Sequence, residues 1–238
     1  MAEKGPGAEW RRRARVGLWK AYRRRTERSD AHGERDVPGR ADGDARHRGA
    51  ALTTAREAMC GPVHTIGHST RGFDDVLEML LGHDVTCLVD VRSFPSSRKH
   101  PQWNQSAVVA RLPSGIGYRW IPRLGGRRHT PKGVPSPNGA WRVKAFRDYA
   151  DYMAGDEFAR GLEELLGLAR RGRPAIMCSE AVPWRCHRRL ITDALLVAGV
   201  EVVHIMSRTA TRRAVLNENA RVRDGHLVYP PPAGQEPP

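Results

Sequence analysis

Five short apolar runs, at residues 63–67, 87–91, 118–121, 175–178 and 200–205, constrain the fold more than any other feature of the chain. Each is too short to be a helix, and the run Cys87-Leu88-Val89-Asp90-Val91 is continuous and β-branched, as in a strand covered on both faces. Between the runs, apolar residues recur at helical spacing. Phe73, Val76, Leu77, Leu80 and Leu81 form one stripe closed by Gly82; Leu190, Ile191, Ala194, Leu195 and Ala198 form another closed by Gly199. Further helices are expected from the cap Asn104 to Leu112, over 143–153, and over 156–171 with Asp156 as its cap; the last long helix is expected to open at Cys186. Strands that alternate with helices imply a single α/β domain, with a mostly parallel sheet of about five strands flanked by helices.

That pattern begins at Val63 and lapses near residue 208, so residues 59–208 are read as the α/β domain and 209–238 as a loose, polar, Pro-rich tail. Residues 1–58 are Arg-rich and lack the aliphatic periodicity needed to bury a core, so they read as a disordered basic extension. The alternative there is a short basic helix with Trp10, Trp19 and Tyr22 on one face. Met59 is a candidate translation start, because the patterned region needs nothing upstream. The net charge of +14 is shared: residues 1–60 carry 15 Lys/Arg against 9 Asp/Glu, and the remainder 25 against 17. Such a balance suits encounter with nucleic acid, nucleotides or other anions, and an Arg-rich proteome produces it without any such partner. Four scattered cysteines make no disulfide framework, and no apolar run approaches the roughly 18–20 residues of a membrane span. The expectation is a cytoplasmic protein with no membrane anchor.

In open parallel sheets ligands bind beyond the carboxyl ends of the strands, and here that rule brings four polar clusters to one rim. The first strand ends in Gly67-His68-Ser69-Thr70 and the second in Asp90-Val91-Arg92-Ser93. The third feeds Leu124-Gly125-Gly126-Arg127, and the fourth ends in Cys178-Ser179-Glu180, followed at Cys186 by His187, Arg188 and Arg189. Cys186, at a helix start among arginines, is a candidate nucleophile or redox thiol, with simple packing as the structural alternative. Cys178 is the second thiol candidate and leans toward core packing. His187, Glu180 and His68 are candidate proton carriers, although Glu180 is equally suited to pair with an arginine. Asp90 interrupts an apolar strand, so its carboxylate needs a dedicated partner, whether for structure or catalysis. Arg92 shares a face with Asp90; with Arg188, Arg98 and Ser69 it is a candidate for holding an anion. Trp103 either stacks a base or packs its loop onto the domain. The loop over 125–139 is long enough to be functional or mobile.

Cys178, Cys186 and His187 form an alternative metal set, but Cys-x7-Cys-His departs from the spacing of common zinc modules, and the leading expectation is no metal. A transient Cys178–Cys186 disulfide is a further option. A phosphatase-type Cys-x5-Arg loop is absent, since position 184 is Trp and Arg185 comes one place late; a Gly-x4-Gly-Lys-Ser/Thr phosphate loop is absent too. These residues identify no cofactor.

Seven segments together resemble one known family: Thr65-Ile66-Gly67-His68-Ser69, the stretch 88–95, the stretch 97–101, Leu124-Gly125-Gly126, Cys178-Ser179-Glu180, the stretch 186–189, and His204-Ile205. The family is domain of unknown function 488, and the resemblance runs from about Val63 to Met206. It implies a small α/β domain with polar residues suggestive of an enzyme, no established reaction, and no catalytic role to transfer. Three functional readings stand at this point. The first is an enzyme acting on an anionic, phosphate-bearing substrate, nucleotide or nucleic-acid related, through a Cys/His/Arg site. The second is a non-catalytic nucleic-acid-binding module, and the third a metal-dependent hydrolase.

Overall fold

The structure, a computed structural model, describes residues 60–232 and 234. The basic extension read over 1–58, its helical alternative and the Met59 start lie outside the described residues. The order of elements is β1 (Val63–Gly67), α1 (Phe73–Leu81), β2 (Cys87–Asp90), α2 (Gln105–Arg111), β3 (Gly117–Trp120), α3 (Lys144–Tyr152), α4 (Asp156–Arg171), β4 (Pro174–Cys178), α5 (Arg188–Val197) and β5 (Val202–Ile205). Three short strands follow: β6 (Thr211–Arg213), β7 (Arg221–Arg223) and β8 (His226–Val228).

One six-stranded sheet has the order β3-β2-β4-β1-β5-β6, with the first five strands parallel and β6 antiparallel at the edge. Side chains alternate between its faces. Leu88, Ala175, Met177 and Ile205 meet Phe73, Val76, Leu80 and Val108 from α1 and α2. Val89, Ile176 and Val202 meet Tyr149, Phe158, Leu165 and Leu195 from α3, α4 and α5. Burying both faces removes every side chain of β4 from water, at about 1.5–3 kcal/mol for each large apolar one, which is why its sequence is apolar without alternation. The chain leaves β1 and β2 toward β3 but leaves β4 toward β5. Strands whose connections part in this way leave a crevice at their carboxyl ends.

The structure departs from the sequence reading in four places. Residues 209–232 are packed against the domain: β6 pairs with β5, and Tyr229 is wholly buried, its hydroxyl donating to Asp193 (2.9 Å) and its N–H to Asn138 Oδ1 (2.8 Å). The loop over 125–143 is anchored, since Thr130, Ser136 and Asn138 all donate to Asp151. Asn104 stands at the cap position of α2, but its Oδ1 accepts the N–H of Ser97 (2.6 Å) instead of capping; Asp156 is the first residue of α4, behind Gly155. Finally, α5 opens at Arg188, because Pro183–Arg185 form a separate 3-10 turn and leave Cys186 and His187 just ahead of the helix.

Candidate functional site

The β1–β4 ladder continues past both strands, with His68 N–H bonded to Cys178 O (3.0 Å) and Ser69 N–H to Ser179 O (2.9 Å). The loop after β4 then folds across the end of β1. A Cβ on Gly67 would lie 1.8 Å from Glu180 O, so only glycine admits that crossing. Arg188 fixes the loop from beneath: its Nη2 donates to Glu180 O (2.5 Å) and Ala181 O (3.4 Å), and its Nε to Cys186 Sγ (3.4 Å). The result is a cleft of about 620 Å³, reached by His68, Ser69, Arg92, Ser93, Phe94, Arg127, Phe146, Ser179, Glu180 and Arg185, with Cys178, Cys186 and His187 also on its lining.

Beside it lies a polar cluster that closes on itself. Asp90 is fully buried and receives Arg92 N–H (3.0 Å), Arg92 Nε (2.9 and 3.0 Å), Arg92 Nη2 (2.5 Å) and the Tyr118 hydroxyl (2.8 Å). Arg92 Nη2 also reaches Trp103 O (2.8 Å), and only its Nη1 edge, 3.5 Å from His68 Nε2, stays uncommitted. His68 donates from Nδ1 to Ser69 O (3.0 Å) and stacks on buried Trp103 at 4.5 Å. Burial holds its imidazole down at about 4, hence neutral. Trp103 packs the loop, its Nε1–H on Arg71 O, and offers no face to a base.

The second cluster is open. His187 Nε2 faces Val91 O (3.0 Å), so that nitrogen carries the proton and Nδ1 presents a lone pair. Nδ1 looks at Cys186 Sγ (3.5 Å) and Cys178 Sγ (3.9 Å). Gly126 lies flat on the ring, where a Cβ would come within 2.5 Å of Nδ1. Burial pushes the Cys186 thiol up, but the hydrogen bond from Cys178, the Arg188 guanidinium and the Arg188 N–H outweigh it and bring Cys186 down to about 6. The same hydrogen bond to Cys186, with burial, pushes Cys178 up to about 12. Cys186 is therefore the more acidic thiol of the pair. Sulfur and imidazole so placed can act as nucleophile and proton acceptor, or as three soft donors around an ion, their ligand atoms all lying within 4.8 Å of one another.

Of the residues singled out in the sequence, His68, Ser69, Arg92, Cys178, Glu180, Cys186 and His187 share the cleft. Asp90 sits beneath it, acting through Arg92. Arg188 does not face the cleft as an anion ligand: it is buried and its donors hold the loop and Cys186. Arg98 is exposed and does not line the cleft, although Ser97 and His100 on either side of it do. Two cations that were given no role, Arg127, expected on the rim, and Arg185, are both exposed there and neither has a carboxylate partner among the described residues. Arg127 was legible because it follows the Gly-Gly pair after β3, whereas Phe146 comes from the face of α3 and had no local signal.

The model of the family Domain of unknown function DUF488 matches residues 72–195, more than half of the chain. The chain belongs to the DUF488 family. The DUF488 match takes in Asp90, Arg92, Cys178, Glu180, Cys186, His187 and Arg188, while His68 and Ser69 fall just before it. Comparison with curated proteins and with solved structures returns no significant match. Among the described residues no helix is long and apolar enough to cross a membrane.

Proposed function

We propose that this DUF488 protein is an enzyme acting on an anionic, phosphate-bearing substrate of nucleotide or nucleic-acid type, with its chemistry at Cys178, Cys186 and His187. The observation that carries the reading is a buried thiol–thiol–imidazole centre opening onto a cleft rimmed by two arginines, Arg127 and Arg185, that have no carboxylate partner among the described residues. Arg127 and Arg185 share the rim with Glu180, the one carboxylate lining the cleft among the described residues; the Nη1 edge of Arg92, whose charge Asp90 balances, adds N–H donors, and Ser69, Ser93 and Ser179 add hydroxyl donors. Such a wall favours phosphate oxygens over neutral groups. Phe94, 63% exposed with the Arg127 guanidinium 5.5 Å from its ring, supplies an aromatic plane at the mouth on which a base can stack. Glu180 is the exposed carboxylate available for proton transfer, and His68 positions the β1 turn.

A module that only binds nucleic acid has no use for two buried sulfurs aimed at an imidazole lone pair, which is why catalysis is preferred over binding alone. The test pairs turnover on a panel of phosphate esters with binding of inorganic pyrophosphate. Cys186→Ser should abolish turnover and leave the pyrophosphate Kd within about threefold, while Arg127→Ala with Arg185→Ala should weaken pyrophosphate by roughly 10-fold or more, from charge-assisted bonds of about 1.5–3 kcal/mol each. Unchanged turnover in Cys186→Ser would sink the enzymatic reading, and unchanged pyrophosphate binding in the double variant would sink the anionic one.

A further inference from the structure

We infer that Cys178, Cys186 and His187 hold a zinc ion on the floor of the cleft, with its fourth coordination position open to substrate. This deepens the proposed function and rests on the same cleft. The argument is geometric. Zinc bonds of about 2.3 Å to sulfur and about 2.0–2.1 Å to nitrogen, at tetrahedral angles, require sulfur and nitrogen ligands about 3.6 Å apart and two sulfurs about 3.8 Å apart. His187 Nδ1 stands 3.5 Å from Cys186 Sγ and 3.9 Å from Cys178 Sγ, and all three atoms lie within 4.8 Å of one another. They already outline one face of the coordination tetrahedron.

The surroundings fit ligands better than a lone nucleophile, which needs one thiol and gives the second no task. The proton of His187 is committed to Val91 O, the outer bond that fixes a ligating imidazole in the tautomer it needs. Cys186 Sγ accepts the Arg188 N–H (3.5 Å) and Nε–H (3.4 Å), the kind of bonds that stabilise a metal-bound thiolate. Gly126 holds the ring from one side with no atom to spare. Cys178 ends β4 while Cys186 and His187 immediately precede α5, so the set is mounted on two rigid elements and not on one tight turn. That mounting explains the seven-residue spacer. Among the described residues no fourth His, Cys or carboxylate joins the group, and all three members line the cleft. Three protein ligands with an open position are the pattern of catalytic zinc, which polarises a phosphoryl oxygen or activates a water. On loading, the ion takes the place of thiol protons, which leave to solvent, and no oxidation state changes.

The full chain, stripped with chelator, is titrated with Zn²⁺ against a chromophoric competitor, and with Co²⁺ under a spectrophotometer. The expected result is one ion per chain, with thiolate-to-cobalt charge-transfer absorption and tetrahedral d–d bands; Cys178→Ser and His187→Ala lower Zn²⁺ affinity by at least about 100-fold, whereas Cys60→Ser with Cys87→Ser does not. Should the buried variants fail to fold, alkylation mapping of the unmutated chain decides: Zn²⁺ must shield Cys178 and Cys186. Sub-stoichiometric binding, an octahedral cobalt spectrum, undiminished affinity in Cys178→Ser or His187→Ala, or alkylation unaffected by Zn²⁺ would each overturn the inference. Pyrophosphate binding separates the two ideas. A chain that binds pyrophosphate but no zinc loses only the metal centre, and one that binds zinc but no pyrophosphate, loaded or stripped, loses only the anionic substrate.

Discussion

Asp90–Arg92 at the end of β2 and Cys178–Cys186–His187 around the end of β4 are neighbours, and the residue between the first pair, Val91, just past the strand, lends its carbonyl to the second group through His187. In the first group every acceptor of the carboxylate meets a donor: two nitrogens of one guanidinium, a backbone N–H and a tyrosine hydroxyl. In the second, Nδ1 and two sulfurs converge on one another, and although Arg188 donates to Cys186 Sγ, no donor of normal hydrogen-bond length closes on the His187 lone pair. Both are buried and both look catalytic in a sequence. The difference teaches that a polar residue at a strand end is a functional candidate only when its bonding capacity is left over after folding; a saturated one is a fastening.

Breaking the saturated group should have the largest effect. Asp90→Ala leaves the buried Arg92 charge without a partner and should cost about 3–5 kcal/mol in denaturant unfolding; a loss under about 1 kcal/mol would show that Asp90 is not the fastening described.

Acid comes next. Burial holds His68 and His204 down at about 4, below the value near 6.5 expected in the unfolded chain, and lowers His64 as well. Because these folded values are depressed, the stability linked to the neutral rings is complete above pH 6.5 and is lost as pH falls toward 4. His68 and His204 alone give a slope of up to about 2.7 kcal/mol per pH unit in that window. Burial raises the Asp193 carboxyl to about 6, so the folded chain gains a proton there and offsets about 1.4 kcal/mol per unit. Net destabilisation on acidification should therefore appear in a pH series of unfolding curves, and be reduced in His204→Gln.

Gly126→Ala tests the open group without removing a polar atom. The added methyl must displace the His187 ring, at about 1–3 kcal/mol, and should cost turnover and Zn²⁺ affinity together. The smallest change in stability belongs to Cys186→Ser, within about 1 kcal/mol, with turnover lost. A melting temperature that collapsed in this variant would move Cys186 into the same class as Asp90.

The parallel sheet was legible because β1, β2, β4 and β5 are short apolar runs, and the need of Asp90 for a dedicated partner, though not which one, followed from a carboxylate inside such a run. The helices were legible from period and terminal glycine. Three things were not. Strands of three residues, as in β6, β7 and β8, carry no period, and the burial of Tyr229 depends on Asp193 and Asn138, distant in sequence. Arg188 reads in the sequence as an anion ligand, and nothing local separates it from Arg189; the fold turns the first inward and lays the second over Trp141, 4.4 Å from its ring. The spacer between Cys178 and Cys186 left the Cys178, Cys186 and His187 set a secondary option, because spacing rules describe ligands on a single turn and these come from a strand end and the approach to a helix.

The clasp at Tyr229 reaches further than its own pocket. It grips Asn138 near one end of the loop whose other end rests Gly126 on His187. The final residues of the sheet domain thus brace the imidazole at a distance, and a chain cut before Tyr229 would keep every reactive atom yet lose the buttress that keeps them aimed.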